Sequence, residues 1–552
     1  MKLVTPEQMR RIEDWAIKDL GLPGIVLMEN AGLRAAEVAG RIMAGVDGKT
    51  VLVFVGKGNN GGDGCVIARH LINRGAVVWV GLLADPGEFR GDAATNLGIL
   101  QKIIDPERLF MATPERFSEA GRLAANADLI VDAIFGTGLS GPVRGLAASV
   151  IELINGSGRP VLAVDIPSGL NGANGQAPGP VVRATATVTF GAVKLGLMLH
   201  PGAEYAGAIY LADIGMPVGW AGDPALTCHL VTGSLVRGRL PRRPANSHKG
   251  IFGHVLVVGG SGGMSGSVAM AGQAALRSGA GLVTVGVPAG LQSVLAAKLT
   301  EEMTIGLPET PRQTLAPAAA RVILEQAARF DVLVVGPGMG VEETGSAFLR
   351  ELLEGLSGVS GKPASGNTSG QPAQGGPSSG KPATLVIDAD GLNTLAAGRQ
   401  EFKSLVQNLS ERLAHRVVLT PHPGEMARLM ELSVAEVQQD RVAVARRAAG
   451  EWRATVVLKG SRTVIADPDG QVYINITGNA GMASAGMGDV LAGVVGGLSA
   501  QGLGSTEAAV AAVFLHGAAG DLAAEEIGPA GIVAGDLLPR LPRAIAQLIK
   551  GR

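Results

Sequence analysis

Short runs of β-branched and apolar residues recur along this chain, and glycines follow most of them directly. The clearest runs are residues 50–55, 254–258 and 331–335, which lead into Gly56, Gly259 and Gly336. Such runs are typical of strands that are buried on both faces of a parallel sheet, and helical patterns separate them. The pattern predicts an α/β fold with mostly parallel sheets.

The length of 552 residues exceeds what one ordinary core supports and predicts several domains. Residues 218–246 carry prolines and arginines, and we predict that they link a first domain, 1–217, to a second, 247–552. Inside the second domain, residues 357–383 are mainly Gly, Ser, Pro, Gln and Asn. They offer almost nothing to bury, so we predict a flexible low-complexity insertion there.

The composition argues against several classes of protein. The net charge is −1 and only 3% of residues are aromatic, so we do not expect nucleic acid binding. No run approaches the ~20 uncharged residues of a membrane span, and no secretory signal opens the sequence, so we expect a cytoplasmic protein without a membrane segment. Cys65 and Cys228 suit a reducing compartment and provide neither a disulfide framework nor a metal cluster.

The glycine-rich stretch 478–493 carries the clearest chemical signal. Its glycines at 478, 481, 486 and 488 precede Asp489, and a small apolar sequence that we predict to be a buried helix follows. Unpaired backbone N–H groups at a helix N-terminus bind anions, and an acid in the first turn then stands beside the anion. The arrangement suits phosphoryl transfer, with the carboxylate at the attacking hydroxyl.

Two other interpretations of Asp489 bear on this assignment. The stretch could be a simple turn whose acid only complements the helix dipole. The dipole should also stabilise the Asp489 carboxylate as an anion, which weakens it as a base and favours a role in orienting the hydroxyl.

Polar residues follow three predicted strands of the first half. Asn60 lies in the predicted loop 56–64, while Asp132, Asp165 and Ser168 follow two later strands. Because the carboxyl ends of parallel strands meet at one edge of a sheet, we expect these side chains to converge, although each acid could also be a helix N-cap. The loop lacks the ribose-binding acid that should follow about 20 residues after a dinucleotide fingerprint. Lys194, after another strand, could approach the crevice, but we expect it to be solvated.

The second half places further candidates at turns. His422 lies between two prolines just after a predicted strand, where it could contact a ligand or cap the backbone. Residues 459–463 offer two cations and hydroxyls to either a nucleotide phosphate or solvent. The apolar residues 454–458 and 472–474 are expected to form an antiparallel margin of the sheet.

Four segments of the first half, 28–32, 56–64, 132–139 and 165–170, resemble the NAD(P)H-hydrate epimerase family over about residues 1–217. The resemblance implies a Rossmann-like three-layer fold that interconverts the R and S hydrates NADHX and NADPHX. It implies a potassium ion held by Asn60, Asp132 and Ser168. The substrate contacts that it implies are Asn59, Asn60, Gly61, Gly62, Asp63, Gly136, Thr137, Gly138, Leu139, Ser140, Gly141, Pro142 and Asp165. Asp165 is our first choice for proton transfer at the reacting ring.

Five segments of the second half, 336–340, 388–393, 420–425, 459–460 and 486–489, resemble the ribokinase-like NAD(P)H-hydrate dehydratase family over about residues 228–545. The resemblance implies that ADP, with Mg²⁺, phosphorylates the hydroxyl of the hydrated ring and that phosphate then leaves. Asp489 would be the base. The hydrate contacts would be Ser267, Gly338 and His422, and the adenosine nucleotide contacts Lys459, Gly460, Ser461, Arg462, Thr463 and Gly488.

Met487 and Ser267 depart from the residues that are common in that family. Neither departure removes an amide donor, so we expect loosened rather than lost function. Together the two resemblances predict a bifunctional repair enzyme, with a homo-oligomer as the expected state. The alternatives are that the second half is a vitamin or sugar kinase and that the first half is only a nucleotide-binding regulatory module. ADP and ATP, like NADHX and NADPHX, are not distinguished by the sequence.

Overall fold

The computed structural model describes residues 1–139, 141–358, 384–414 and 416–551. It contains two compact units, Lys2–Cys228 and His229–Arg552, the second of which includes Met1. We refer to them as the N-terminal and C-terminal units. The boundary falls inside the predicted linker 218–246. Ser140 and residues 359–383 of the predicted insertion lie outside the described residues, and residues 357–358 end a helix.

The N-terminal unit alternates strands with helices. Its strands are β1 (Lys2–Val4), β2 (Thr50–Val55), β3 (Val77–Leu82), β4 (Leu109–Met111), β5 (Leu129–Ala133), β6 (Val161–Val164), β7 (Ala186–Phe190), β8 (Val193–Lys194) and β9 (Ala208–Ala212). Its helices are α1 (Pro6–Asp14), α2 (Gly24–Ile42), α3 (Asn59–Ile72), α4 (Gly91–Ile103), α5 (Phe117–Asn126), α6 (Gly145–Gly156) and α7 (Gly202–Ala206).

Seven of these strands form a parallel sheet in the order β4-β3-β2-β5-β6-β7-β9. The order reverses at β2, as in the doubly wound Rossmann fold. Successive residues of β2 enter opposite cores: Val51, Val53 and Val55 pack with α2, α3 and α4, while Leu52 and Phe54 pack with α5 and α6. Helices therefore cover both faces, and the predicted three-layer α/β fold is confirmed.

The C-terminal unit is a second α/β fold. Its strands are β10 (Cys228–Leu230, at the unit boundary), β11 (His254–Val258), β12 (Leu282–Pro288), β13 (Met303–Leu307), β14 (Val332–Val335), β15 (Thr384–Ile387), β16 (Val417–Leu419), β17 (Thr455–Leu458), β18 (Val464–Ala466) and β19 (Val472–Ile474). Its helices are α8 (Gly233–Arg237), α9 (Ser265–Arg277), α10 (Gln292–Lys298), α11 (Ala319–Glu325), α12 (Glu343–Gly358), α13 (Asp390–Ala397), α14 (Arg399–Arg412), α15 (Pro423–Met430), α16 (Val434–Gln439), α17 (Arg441–Trp452), α18 (Met487–Ala500), α19 (Ser505–Ile527), α20 (Ala534–Leu537) and α21 (Leu541–Lys550).

The sheet of this unit runs β13-β12-β11-β14-β15-β16-β17-β18-β19. Its strands are parallel from β13 to β17, and β18 and β19 add an antiparallel margin. The expected margin is present, but the two segments predicted to form it are not neighbours, because β18 lies between them. The strand order reverses at β11, which places a crevice between β11 and β14.

Two long apolar helices fill the core of the C-terminal unit. α18 packs against α9 so closely that a Cβ added at Gly493 would collide with the Ala271 carbonyl oxygen. Among the described residues, α19 is the one helix that is long and apolar enough to span a membrane, and 67% of its apolar window is buried inside the structure. It contacts α18 and α21, as a core helix does.

Candidate functional site

In the N-terminal unit, the carboxyl ends of β2 and β5 meet where the strand order reverses. Gly56 follows β2, and a Cβ added there would collide with the carbonyl oxygen of Ile134, which follows β5. A cavity of about 610 Å³ lies at this point. Its wall includes Asn59, Asn60, Asp63, Asp165 and residues 136–139. Open α/β sheets bind ligands at such a reversal point.

The loop between β2 and α3 is shorter than the predicted loop 56–64. α3 begins at Asn59, so Gly61, Gly62 and Asp63 are buried in its first turns and only residues 56–58 precede the helix. The helix N-terminus leaves its first backbone N–H groups without intrahelical partners beside the cavity. Of the predicted segment 136–142, residues 136–139 line the cavity, while Gly141 and Pro142 are exposed and are not part of its wall.

Asp132 and Ser168 form a fully buried, hydrogen-bonded pair. The Ser168 hydroxyl donates to Asp132 Oδ1 at 2.6 Å, and its backbone N–H donates to Oδ2 at 2.8 Å. Burial raises the pKa of Asp132 to about 6, although these hydrogen bonds lower it. The Ser168 hydroxyl also accepts from Phe135 N–H at 2.9 Å, which ties the pair to the segment lining the cavity.

Asn60 stands beside this pair with an unsatisfied amide. Its Oδ1 and Nδ2 are buried and have no hydrogen-bond partner among the residues that the structure describes. Oδ1 lies 3.1 Å from the position of a Cβ added to Gly136, so the amide faces the segment that Ser168 holds. A buried amide left without partners costs about 1–3 kcal/mol, which favours a ligand there. The oxygens of Asn60, Asp132 and Ser168 are donors that hard cations prefer.

Asp165 follows β6 in an uncommon backbone conformation, with a φ of 65°. Such positive φ values in non-glycine residues cluster at functional sites. Its Oδ1 accepts hydrogen bonds from Lys194 Nζ, from Thr189 Oγ1 at 3.2 Å and from Phe190 N–H at 3.3 Å. The expectation that Lys194 is solvated is wrong: it is 1% exposed, because Asp165 and the Phe190 carbonyl hold its ammonium inside.

Two more acids face the same cavity. Glu13 reaches it from α1 and Asp63 from α3. Burial raises the pKa of both carboxyls, well above the usual range for Asp63, and the charge of Asp165 raises both further while Lys194 lowers them. The sequence singles out Asp63 only as a substrate contact and gives no signal for Glu13, which lies on an ordinary amphipathic helix.

In the C-terminal unit, the loops after β11 and β14 meet at the reversal of strand order. A Cβ added at Gly259 would collide with the Pro337 carbonyl oxygen, and Ser261 Oγ donates to the Gly338 carbonyl at 2.9 Å. A Cβ added at Gly338 would lie 3.2 Å from the Cβ of Ser267. Two of the predicted hydrate contacts, Gly338 and Ser267, are therefore neighbours.

Asp489 lies in the first turn of α18, which Gly486 caps in a left-handed conformation with a φ of 86°. Burial raises the pKa of Asp489 to about 6, and the charge of Asp388 raises it further. A hydrogen bond from Ser267 and the charge of Lys459 lower it. The expected effect of the helix dipole would lower this pKa, whereas burial acts in the opposite direction and favours Asp489 as a base. A carboxylate with this pKa is a stronger base than an ordinary aspartate yet largely ionised at neutral pH.

Lys459 stands at the N-terminus of the same helix. Its Nζ donates to Asp388 Oδ1 at 2.6 Å, lies 3.6 Å from Glu425 Oε2, and would lie 3.2 Å from a Cβ added at Gly488. Burial lowers the pKa of Lys459, but Asp388, Glu425 and Asp489 outweigh it, so the pKa is raised. The structure therefore brings Lys459, Gly488 and Asp489 together, with the cation fixed in place.

The remaining predicted nucleotide contacts lie in the turn between β17 and β18. Gly460 and Ser461 are exposed, Arg462 has a φ of 56°, and Thr463 Oγ1 donates to the Gly460 carbonyl at 2.8 Å. Buried Arg441 donates to the Leu458 and Lys459 carbonyls at 3.0 and 3.1 Å and so anchors the start of the turn.

His422 caps α15, which is the alternative to a ligand contact that the sequence left open for this residue. Its Nδ1 accepts from Gly424 N–H at 2.9 Å, and Glu425 Oε2 accepts from His422 N–H at 2.7 Å. Burial lowers the pKa of His422, and the charges of Lys459 and Arg428 lower it further, so the ring is neutral. The side chain is still 50% exposed, and its Nε2 lies 3.4 Å from Glu425 Oε1, so the exposed part of the ring could contact a ligand.

Sequence reasoning missed three groups around this site. Asp388 is 1% exposed, accepts from Thr420 Oγ1 at 2.7 Å, and keeps Oδ2 buried with no hydrogen bond from the described part of the chain. Burial raises the pKa of Glu425 to about 7. Burial also lowers the pKa of His516, on α19, to about 4, and its ring bonds to the Met487 backbone at the start of α18. A lone histidine in an apolar helix gives no signal of that contact.

Two family models match the chain. The YjeF-related protein N-terminus matches residues 24–196, and NAD(P)H-hydrate dehydratase matches residues 255–359 and 378–543. The bifunctional NAD(P)H-hydrate repair enzyme Nnr of Moorella thermoacetica is 46% identical over 549 residues, which cover 99% of this chain and 97% of that relative. The chain belongs to the family of bifunctional NAD(P)H-hydrate repair enzymes.

Other members of the repair-enzyme family are also similar along the whole chain. The Nnr protein of Escherichia coli is 35% identical over 546 residues, covering 98% of this chain and 93% of the relative. A solved ADP/ATP-dependent NAD(P)H-hydrate dehydratase from Bacillus subtilis, co-crystallised with ATP/Mg²⁺, is 27% identical with a TM-score of 0.45 and covers 58% of this chain and 98% of that one. The predicted family is confirmed for both halves, and neither the kinase nor the regulatory-module alternative is favoured.

Proposed function

We propose that the N-terminal unit interconverts the R and S forms of NADHX and NADPHX, and that the C-terminal unit dehydrates the S form with ADP. The observation that carries the second activity is the grouping of Asp489, Gly488 and Lys459 at the start of α18. It combines unpaired amides for phosphate, a fixed ammonium and a carboxylate with a raised pKa.

The dehydration follows from these groups. Asp489 accepts the proton of the ring hydroxyl while that oxygen attacks the terminal phosphoryl group of ADP, and AMP leaves. Lys459 and the amides at the start of α18 offset the charge of the transferring group. The phosphate ester then departs as phosphate with loss of a ring proton, which regenerates NAD(P)H. Hydroxide is a poor leaving group and phosphate a good one, so a kinase-like site performs a dehydration.

A magnesium ion fits the acids beside Lys459. Asp388 keeps a buried carboxylate oxygen without a hydrogen bond from any described residue, and Glu425 Oε2 lies 3.6 Å from the same ammonium, that of Lys459. We propose that these two carboxylates hold Mg²⁺, directly or through water. When bound, the ion would neutralise phosphate charge.

A potassium ion fits the oxygen donors of the N-terminal unit. The unsatisfied Asn60 amide and the bonded pair of Asp132 and Ser168 offer an amide, a carboxylate and a hydroxyl oxygen at one edge of the sheet. Among the described residues, no cluster of three or more His, Cys, Asp or Glu suits a transition metal. Bound there, the ion would fix the segment 134–136 against α3, and Asp165 would transfer a proton at the reacting ring.

The decisive experiment incubates the purified protein with mixed hydrate isomers, with and without ADP, followed by chromatography. Without ADP we expect the isomers to equilibrate. With ADP we expect both to disappear while AMP, phosphate and reduced nicotinamide absorbance appear together. A stable phosphorylated product would support a small-molecule kinase instead, and isomers that do not interconvert would contradict the epimerase assignment.

A further inference from the structure

We propose that Asp63 is the general acid of the epimerisation and that it works opposite the carboxylate of Asp165. The proposal rests on the epimerase function proposed above and adds to it a second proton-transferring residue. It follows from the arrangement of three acids, Glu13, Asp63 and Asp165, which line the 610 Å³ cavity near a single buried lysine, Lys194.

The chemistry requires both an acid and a base. Water adds to an enamine at the carbon bonded to nitrogen, so the nitrogen lone pair can expel the hydroxyl again. The C–O bond breaks with its electron pair on oxygen, which takes up a proton and leaves as water, and the ring becomes a cation. A water molecule then adds to the opposite face and gives up one proton. One group must therefore donate a proton while another accepts one.

The carboxylate of Asp165 is the acid of the cluster that has hydrogen-bond donors around it. Its Oδ1 accepts three hydrogen bonds, from Lys194, Thr189 and the Phe190 backbone. Within the described part of the chain, Asp165 is the acid that pairs with Lys194, and this lysine is almost fully buried. The single buried ammonium of the cluster is therefore already paired with Asp165.

Asp63 lacks such partners. It is 9% exposed, and no hydrogen bond joins its carboxyl to any residue that the structure describes. The groups around it are Glu13 on α1, Asp165 after β6, Lys194 in β8 and Cys65 on its own helix. If all three acids were ionised, the ammonium of Lys194 would face two buried carboxylates and the half-buried Glu13, and this arrangement favours a proton on Asp63. Burial also raises the pKa of Asp63 well above its usual range, which agrees with this balance of charges.

The choice between Asp63 and Glu13 rests on their surroundings. Glu13 is only half-buried, and its raised pKa is offset in part by Lys194 and, more weakly, by Arg10 on the same helix, whereas Lys194 is the cation that acts on Asp63. Asp63 is buried in the first turns of α3, three residues after Asn60. The other charged groups of the cavity wall are Lys57, which pairs with Glu88 at 2.8 Å, and Asp92.

The test uses the full chain with Asp63→Asn and, as a matched control, Asp19→Asn, an exposed aspartate outside the cavity wall. Epimerisation of the pure R form is followed by chromatography without ADP. We expect Asp63→Asn to lower kcat by about 100-fold or more with little change in KM, and Asp19→Asn to stay within about threefold of wild type. Dehydratase turnover of the S form with ADP, unchanged in each variant, shows that the chain is folded.

Two further readouts separate a proton donor from a structural residue. The wild-type kcat should fall at high pH as Asp63 loses its proton, and this fall should be absent in Asp63→Asn. In ¹⁸O-labelled water, each wild-type epimerisation should place one labelled oxygen on the ring, because the hydroxyl leaves as water and solvent replaces it.

Three results would overturn the proposal while leaving the epimerase function intact. The first is an Asp63→Asn variant as fast as Asp19→Asn in a protein that epimerises. The second is a full loss of epimerisation in Glu13→Gln alone. The third is wild-type epimerisation without ¹⁸O uptake. A wild-type protein that does not interconvert the isomers at all would instead refute the function on which the proposal rests.

Discussion

At the residue scale, the two halves reach their chemistry by the same means. Asp489 and Asp132 both have a pKa near 6 because burial outweighs the hydrogen bonds around them. Each site also contains a hydrogen-bonded carboxylate at a strand end. Lys459 donates to Asp388, whose charge acts on Asp489, and Ser168 donates to Asp132. The strand ends predicted that Asp132 and Ser168 converge, whereas no sequence signal indicated the pairing of Lys459 with Asp388, which are 71 positions apart.

Asp489 should give the dehydration a defined dependence on pH. Its carboxylate accepts a proton only when ionised, and its pKa is raised to about 6, so activity should fall as the pH drops through about 6. A profile of kcat/KM between pH 5 and 8 checks this. Asp489→Asn should lower kcat by roughly 100- to 10,000-fold and leave epimerisation unchanged. Activity that rises in acid, or a fully active Asp489→Asn protein, would contradict the role.

His516 should make the C-terminal unit less stable in acid. Burial lowers its folded pKa from 6.5 to about 4, so between these values the unfolded chain binds a proton that the folded chain does not. Stability is then lost as the pH falls from about 6.5 to 4, by up to about 3 kcal/mol. Denaturant titrations at several pH values measure the free energy of unfolding, and in His516→Gln this part of its decrease should be absent. The exposed His248→Gln serves as a control, and parallel pH curves for His516→Gln and wild type would disprove the account.

At the element scale, the sequence predicts the strands that carry the site residues but does not predict several others, among them β3, β4 and β9 of the N-terminal unit. β2 and β11 have the predicted bounds, because β-branched runs buried on both faces leave a clear pattern. β13 and β18 are missed: the first contains a threonine and a glycine, and the second has three residues. α3 begins before the last glycines of its loop, since close packing against β2 and β5 overrides their low helix propensity.

Close packing between α18 and α9 should tolerate no added methyl group. A Cβ at Gly493 would collide with the Ala271 backbone, so Gly493→Ala should destabilise the protein by about 1–3 kcal/mol and weaken the dehydratase by shifting the helix that carries Asp489. The exposed Gly450 on α17 has open space around it and is a matched control. Gly450→Ala should stabilise by about 0.5–1 kcal/mol. Thermal unfolding that ranks the two variants in the opposite order would refute this packing argument.

At the scale of the whole molecule, the family resemblance determines more of the site than the residue patterns do. The resemblance selected Asn60, Asp132 and Ser168 together, and the structure places Asp132 and Ser168 in one hydrogen-bonded pair. The buried ion pair of Lys194 with Asp165 joins residues 29 positions apart, and sequence patterns treat such a lysine as solvated. What the sequence could not predict is therefore mainly charge pairing and burial, which depend on the folded core.

The low-complexity insertion should be dispensable for both reactions. The dehydratase family model matches residues up to 359 and from 378 onward, and the unmatched residues fall within the compositionally biased segment. Deletion of residues 360–377 should leave kcat and KM of both activities within about twofold of wild type, because long surface insertions cost little in stability. A large fall in dehydratase turnover at unchanged thermal stability would show that the segment contributes to the reaction.

The central claim is that the start of α18, with Asp489 and Lys459, transfers a phosphoryl group to the hydrated cofactor and so dehydrates it. The most direct measurement is the stoichiometry of products from S-hydrate and ADP. We predict one AMP, one phosphate and one NAD(P)H for each hydrate consumed by the wild type, and none from Asp489→Asn. NAD(P)H formed without AMP, or a phosphorylated hydrate that accumulates as the end product, would contradict the claim.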